Sequence, residues 1–583
     1  MRMFTIVISI LTLYGVLDLS VAPASWHMDL AKIGLENIAI GVHATALSNF
    51  FALLVAMSFM IISITTYHYK LSKGFYFLLY LLTASLMLIV YSADYLLFFI
   101  GWEVMSITTY LLLSYTLTYK ALVKYIIFAM ASAMSLLAAI VILYSGAHSF
   151  LYADAHHAYT ALSSTLQTVF VVLMLFALFV KLGMIGLHYW LVDSYSQSHD
   201  FFTPFLSAVI SKMAVYALIV LLVQVIDIAA LPNTWIVYTL ALTGLMSSII
   251  ANFKALNEDS IKRVLAYSSI AQLGYIVTVL SFADGMSGAL YHSLIHTLVK
   301  LLLFINVAGI IYMTSKSKFS ELGGLIYRMP QSFVMLLIGI IVLAGMPPLA
   351  GFASKYLIYN TLLEHGNLLI LSAMMFSSAS AFLYIYKLIY GIYLGHPTSK
   401  KLESIQEVPL MFLIPQYLLS AILVIIGTFP GLLTGYFNTI LVELGIKQLP
   451  QEGISVLATQ NGSYNGFIVI AAFMVVFMLV LLILLSLRSK VKEAKDRFDI
   501  AYCGEVPNEG THLHYGYSMG KELKRVGFIA TILKNSSSHF YEYLSKQLFA
   551  FATFFRKIYS GNLSVNFNIA MIFLLVLLLW GLK

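Results

Sequence analysis

The stretch GALYHSLIHTLVKLLLF, residues 288–304, decides how the chain is read. It is apolar enough to lie in a bilayer. It also carries His292, His296 and Lys300, each four residues from the next, which is the spacing of one stripe on a helix. An ionisable side chain at the centre of a membrane span costs about 2.5–3.5 kcal/mol on insertion scales, so three on one stripe need a use. The pair His292 and His296 suits a metal by spacing alone. No Glu lies between them in the zinc-protease pattern, no third ligand is near, and Lys300 would repel a cation. A structural histidine pair and a proton-relay stripe remain, and the relay is the expectation.

The rest of the chain supplies the setting. Of 583 residues, 61% are hydrophobic and 10% charged, against about 25% charged in soluble proteins. Mean hydropathy is +0.92. Apolar runs of about twenty residues, each long enough to cross a bilayer, recur from end to end. The expected fold class is an all-α polytopic membrane protein with about fifteen transmembrane helices; the alternating strands of a barrel are absent from the pattern. The single cysteine, Cys503, excludes an internal disulfide and Cys-rich metal centres. A formal charge of +8 fits lysine-rich loops that set orientation better than it fits nucleic acid. The sequence has no nucleophile–base pair and no Gly-rich phosphate loop after a strand. No cofactor, metal or redox chemistry is expected in the chain itself.

The expected spans are about 3–22, 45–67, 74–92, 94–116, 120–145, 166–187, 201–227, 232–252, 262–280, 287–313, 331–362, 369–394, 409–428, 466–487 and 565–582. Alternate loops are basic, holding Lys70 and Lys73; Lys120 and Lys124; Lys254, Lys262 and Arg263; Lys316, Lys318 and Arg328; and Lys400 and Lys401. Lys32 and Lys447 are the exceptions. By the positive-inside rule this alternation puts the N-terminus in the cytoplasm. The opening MRMFTIVISILTLYGVLDLSVAPAS has the look of a cleaved signal; a retained first helix fits the alternation better.

Two spans are interrupted. One breaks around 183–204, at Gly183, Gly186 and Pro204; the other breaks at GMPPLAGF, residues 345–352. Proline removes a backbone donor and disfavours helix in the residue before it. Broken backbone at membrane depth survives only inside protein or against water, and paired breaks in two halves suggest a repeat-built transporter. Residues 488–516 are polar. Residues 518–559 read as one amphipathic helix, roughly 63 Å long, lying along the cytoplasmic surface as a lipid-binding helix or a brace against other subunits.

Further ionisable groups lie inside the spans: Glu103, Lys181, Lys212, Lys355 and Lys387. Lys387, late in its span, and Lys124, at the start of its own, read as lysines that snorkel to water. Lys181 has apolar residues on both sides and a break just after it. Desolvation lowers the proton affinity of a lysine in a protein interior, and histidine titrates near neutrality already. A wetted row of both can pass protons, with a carboxylate such as Glu103 tuning the nearest lysine.

These residues sit in recognisable motifs: FFIGWE (98–103), KxxxxGxHxWLxD (181–193), SAVISKMAVY (207–216), KRVLAYSSIAQLGY (262–275), HxxxHxxxK (292–300), LGGLIYRMP (322–330) and LAGMPPLAGFASK (343–355). In their order the chain resembles the antiporter-like, proton-conducting subunits of complex I, membrane-bound [NiFe] hydrogenases and Mrp cation/proton antiporters. The match runs from about 45 to 395. The C-terminal part resembles the long subunit with a lateral helix and a final anchor, and YCGE (502–505) points to the hydrogenase-type complexes.

The resemblance implies Glu103 as an input-site glutamate and Lys181 as its partner. Lys212 would be the next lysine inward, His292, His296 and Lys300 the central relay, and Lys355 the terminal lysine near the exit. It implies two inverted five-helix repeats, 74–227 and 232–394, between N-terminal helices (1–73) and C-terminal helices (395–487). A linker with the lateral helix (488–564) and an anchor (565–583) would follow. It also implies an inner-membrane location and partners: other membrane subunits, and peripheral iron–sulfur, hydrogenase or dehydrogenase subunits. Gly186, Val192 and Tyr195 depart from it, since many members have Pro, Pro and His there.

Overall fold

Four helices start where the sequence supplies a capping side-chain oxygen just ahead of an apolar run. Thr45 accepts from the Ser48 amide in a capping box, Ser72 from Phe75 N, Asp94 from Leu97 N and Ser163 from Leu166 N. Each satisfies an amide that a helix start leaves open. The structure, a computed structural model, describes residues 2–29, 39–69, 71–230, 234–394, 402 and 404–488, with isolated positions between 525 and 553.

The chain divides into two units, Met1–Lys521 and Glu522–Lys583. In the first the helices are α1 (Arg2–Val21), α2 (Ala46–Thr65), α3 (Lys73–Tyr91), α4 (Tyr95–Leu113), α5 (Tyr119–Ala147), α6 (Ala155–Ala161) and α7 (Ser164–Leu182). Then come α8 (Tyr189–Gln197), α9 (Thr203–Val225), α10 (Trp235–Asn257), α11 (Ile261–Val279), α12 (Met286–Thr314), α13 (Pro330–Ala344) and α14 (Ala350–Glu364). Last are α15 (Leu368–Ile392), α16 (Leu410–Thr428), α17 (Thr434–Glu443) and α18 (Gly466–Arg488). Every expected span up to 466–487 coincides with a helix or a broken pair of helices. This is a multi-pass membrane protein. In the second unit the isolated positions described include helical Ile529, Ala530, Lys546 and Gln547. The amphipathic helix expected over 518–559 lies mostly outside the described residues; YCGE and the span 565–582 lie wholly outside them.

The structure adds elements the hydropathy pattern hid. Two antiparallel hairpins pair Ser25–Asp29 with Ala39–His43 and Val456–Thr459 with Gly462–Asn465. Two π-helical stretches lie within α9, Leu206–Ile210 near its start and Leu221–Val225 at its end. Pro204 does not belong to the first break; it stands in the first turn of α9, where a missing amide costs nothing.

Both breaks end their first half-helix in the same way. Gly183 (φ +67°) donates to Val180 O, and Met184 donates to Phe179 O. Gly345 (φ +73°) donates to Val342 O, and Met346 donates to Ile341 O. This paired C-terminal bonding closes two orphan carbonyls and requires a left-handed residue, which glycine adopts freely. At Gly186, φ is +92°, a value proline cannot take, so the backbone path of this break requires a residue other than proline.

The titratable stripe faces protein, not lipid. Residues Met286–Ile310 of α12 are all buried, and α11 is buried throughout except for Arg263. The central position of these two helices sets up the site.

Candidate functional site

Six of the seven expected relay residues are buried in the membrane-spanning body, and the seventh, Glu103, is half-buried. Relative exposure is 2% at Lys181, 0% at Lys212, 3% at His292, 1% at His296, 0% at Lys300 and 2% at Lys355. None of these reaches lipid or headgroups.

In the first half, Lys181 ends α7, two residues before the Gly183 turn. Its Nζ donates to Ser106 Oγ at 2.7 Å and lies 5.7 Å from the Trp102 ring centre and 5.8 Å from that of Tyr125. The rings offer their negative faces to the ammonium. Glu103, on α4, interacts with Lys181 through its field. Its Oε1 is buried and has no hydrogen-bond partner among the described residues. The helix break is pinned by Trp190 Nε1, which donates to Val180 O at 2.8 Å, and by Ser247 Oγ, which accepts from Ile185 N at 3.0 Å.

At the centre, Lys212 Nζ is 2.7 Å from His296 Nδ1 and 3.4 Å from Ser207 O in the π-helical stretch. With the ammonium donating, His296 accepts at Nδ1 and carries its hydrogen on Nε2, which has no partner among the described residues. The rings of His292 and His296 are parallel, 6.3 Å apart at an angle of 5°. His292 Nε2 is 3.1 Å from Gln272 Oε1, and Nδ1 is 2.9 Å from Ser354 Oγ. The amide oxygen only accepts, so a neutral His292 holds its hydrogen on Nε2 and takes one from Ser354. If Nδ1 is protonated, Ser354 turns its hydrogen to Gly351 O at 2.9 Å. Ser354 thus follows the charge on the ring. Lys300 donates to Leu265 O at 2.9 Å and Ser268 Oγ at 2.5 Å.

In the second half, Lys355 lies on α14 just past the second break. It donates to Ala344 O, at the end of α13, and to Ser378 Oγ on α15, both at 2.8 Å. Tyr275 offers its ring at 5.0 Å. Among the described residues, no ion pair joins a carboxylate to Lys181, Lys212, Lys300 or Lys355; hydroxyls, carbonyls and one imidazole meet them instead.

The structure therefore brings Glu103 and Lys181 together, links Lys212, His296 and His292 in a row, and places Lys355 beyond Ser354 on α14. The hydrogen bonds from Lys181 stop at Ser106 and do not continue to Lys212 among the described residues. Sequence reasoning missed the hydroxyls and amide that stitch the site: Ser106, Ser268, Gln272, Tyr275, Ser354 and Ser378. A signal existed for three of them, since Ser268, Gln272 and Tyr275 follow each other at four and three residues on one stripe of α11. Both peripheral lysines find partners within the protein. Lys387 is buried and donates to Leu256 O and Glu258 O, closing the C-terminal end of α10. Lys124 pairs with Asp193 on α8.

Residues 92–381 match the family described as NADH:quinone oxidoreductase/Mrp antiporter, TM. This region of the chain belongs to that family. Subunit A1 of a Na(+)/H(+) antiporter from Staphylococcus epidermidis is 26% identical over 392 residues, covering 62% of this chain and 48% of that protein. The chain thus spans about half the length of that relative. NADH-quinone oxidoreductase subunit N of Desulfitobacterium hafniense is 26% identical over 389 residues, 62% of this chain and 77% of the relative. A chain of the membrane-bound sulfane sulfur reductase, an archaeal respiratory membrane complex, superposes with a TM-score of 0.87 at 27% identity. That likeness covers 98% of this chain and 95% of the other. For this antiporter-like subunit the matched family region takes in every candidate relay residue from Glu103 to Lys355.

Proposed function

We propose that the chain is a proton-translocating membrane subunit of a multisubunit respiratory redox complex, and that Glu103, Lys181, Lys212, His292, His296, Lys300 and Lys355 carry the protons. The observation that carries this is the buried Lys212–His296–His292 row lying between two half-helix breaks, each break beside a buried lysine. A relay needs groups that exchange protons without being locked in one state. Lysines met only by hydroxyls, carbonyls and imidazole satisfy that need, where lysines held in ion pairs would not. A shift of Glu103 against Lys181 changes the hold of that lysine on its proton, which couples the relay to movement elsewhere in a complex. The chemistry of electron transfer belongs to partner subunits in this proposal.

The matched Gly–Met endings of α7 and α13 support two inverted repeats, 74–227 and 232–394. The alternating basic loops support a cytoplasmic N-terminus in the cell membrane. The likeness over nearly the full chain to a subunit of a respiratory complex favours a redox assembly over a stand-alone antiporter. Affinity purification from native membranes tests this: peripheral iron–sulfur subunits are expected to co-purify. Recovery of membrane subunits alone, with Na⁺-driven proton exchange in vesicles, would favour the antiporter reading. If Lys300→Ala assembles and pumps as the wild type does, the relay assignment is wrong.

A further inference from the structure

Ser378 is met by three polar groups at once. Its Oγ lies 2.8 Å from Lys355 Nζ, 2.9 Å from Tyr275 OH and 2.6 Å from Tyr359 OH. A hydroxyl has one hydrogen to give and two sites to accept, so the three contacts use it completely. The direction of each follows by counting. The Lys355 ammonium only donates. Tyr275 OH also lies 3.1 Å from Met374 O, which only accepts, so the single Tyr275 hydrogen is committed there. Tyr275 must therefore accept from Ser378. Ser378 then accepts from both Lys355 and Tyr359.

The two tyrosines differ in where they lead. Tyr275 is fully buried on α11, and its hydrogen ends on a backbone carbonyl. Tyr359 is one turn beyond Lys355 on α14, toward the end of the helix at Glu364, and is only partly buried. The loop that follows, residues 365–367, falls between the basic loops and so belongs to the other side of the membrane by the alternation of charges. One branch is a dead end, and the other leads outward.

We propose that Ser378 and Tyr359 form the outlet of Lys355 and that the orientation of their hydroxyls is its gate. This rests on the proton-relay function proposed above. In the arrangement described, Tyr359 points its hydrogen at Ser378 and Ser378 points its own at Tyr275, so a proton on Lys355 has no onward path. Opening requires Tyr359 to turn its hydrogen outward and Ser378 to turn its hydrogen to Tyr359. A Lys355 N–H bond then breaks as a Ser378 O–H bond forms. The original Ser378 O–H bond breaks as a Tyr359 O–H bond forms, and Tyr359 gives its outward hydrogen to water. One proton leaves, Lys355 is left neutral, and both hydroxyls must rotate back before the next. The rotation back makes the outlet one-way within a cycle.

The test uses the whole complex containing this chain in sealed vesicles, with proton movement during turnover read by a pH-sensitive dye. Ser378→Ala and Tyr359→Phe are expected to assemble normally and to lose coupled proton movement about tenfold or more, as for removal of a positioned proton-transfer group. Ser378→Thr, which keeps the hydroxyl, is expected to restore it. Wild-type pumping in Tyr359→Phe, or failure of Ser378→Thr to rescue, overturns the outlet. Lys300→Ala run in parallel separates the two ideas. If Lys300→Ala abolishes pumping while Tyr359→Phe does not, only the outlet falls. If neither has an effect, the relay itself falls.

Discussion

Lys181, Lys212, Lys300 and Lys355 share one chemical situation, an ammonium buried in protein and solvated by neutral groups. Removing Lys212, Lys300 or Lys355 leaves acceptors unfilled but no stranded countercharge, so the fold should tolerate it; at Lys181 the half-buried Glu103 loses its partner and can take up a proton instead. Lys181→Ala is expected to assemble and to lose proton movement, measured in the same vesicles. Lys387 offers the contrast. Its two carbonyl contacts close the end of α10. Lys387→Met is expected to lower stability by about 1–3 kcal/mol, the cost of buried carbonyls left without a donor, with proton movement retained in the material that folds. A thermal melt in detergent read beside the pumping assay distinguishes a structural lysine from a relay lysine. The titratable residues of the site were all legible in the sequence because a charge in an apolar run stands out. Ser106, Ser354 and Ser378 were not, because serine is ordinary in membrane helices and becomes informative only by what it touches.

The two broken helices carry the site, and their breaks depend on backbone geometry at single residues. A Cβ on Gly345 would fall 2.4 Å from Lys355 Cδ, and the φ of +73° disfavours any side chain. Gly345→Ala is expected to cost roughly 1–2 kcal/mol from the left-handed conformation alone. It should also displace Lys355 from Ala344 O and Ser378, so pumping should fall by more than the stability change explains. At Gly183 a Cβ would meet Leu191 instead, 2.6 Å away. Gly183→Ala is therefore expected to lower the Tm with a smaller effect on pumping in the folded fraction. The positions of both breaks could be read from Gly and Pro. Their shared hydrogen-bond pattern could not, nor could the π-helical stretches of α9, since neither leaves a mark on hydropathy.

Across the whole first unit, ion pairs tie the two halves on the lysine-rich side. Asp193, on α8, accepts from Lys124 of α5 and, at 3.0 Å, from Arg263 of α11, which also holds Glu258 at 2.8 Å. Lys262 reaches back to Asp200 at 2.8 Å. The basic residues of these loops thus also fasten the half-helix beyond the first break. Asp193→Asn is expected to cost about 1.5–3 kcal/mol, the range for hydrogen bonds to charged groups, and the loss should shrink at high salt because these groups are partly exposed. Thermal melts of wild type and variant at two ionic strengths check this. If salt leaves the difference unchanged, the ties are not electrostatic.

The sequence by itself determined that the chain is helical, crosses the membrane many times, breaks two of its spans and buries a stripe of lysine and histidine. Each of these follows from hydropathy, from the backbone limits of glycine and proline, and from the cost of charge in lipid, all of which are local. Only the tertiary structure decided which groups meet: Lys212 with His296, Ser354 with His292, and Lys355 and Tyr359 with Ser378. Those contacts join residues between 19 and 84 positions apart. A hydrogen bond is set by distances of a few ångströms, and linear spacing fixes such distances within one helix but not between helices.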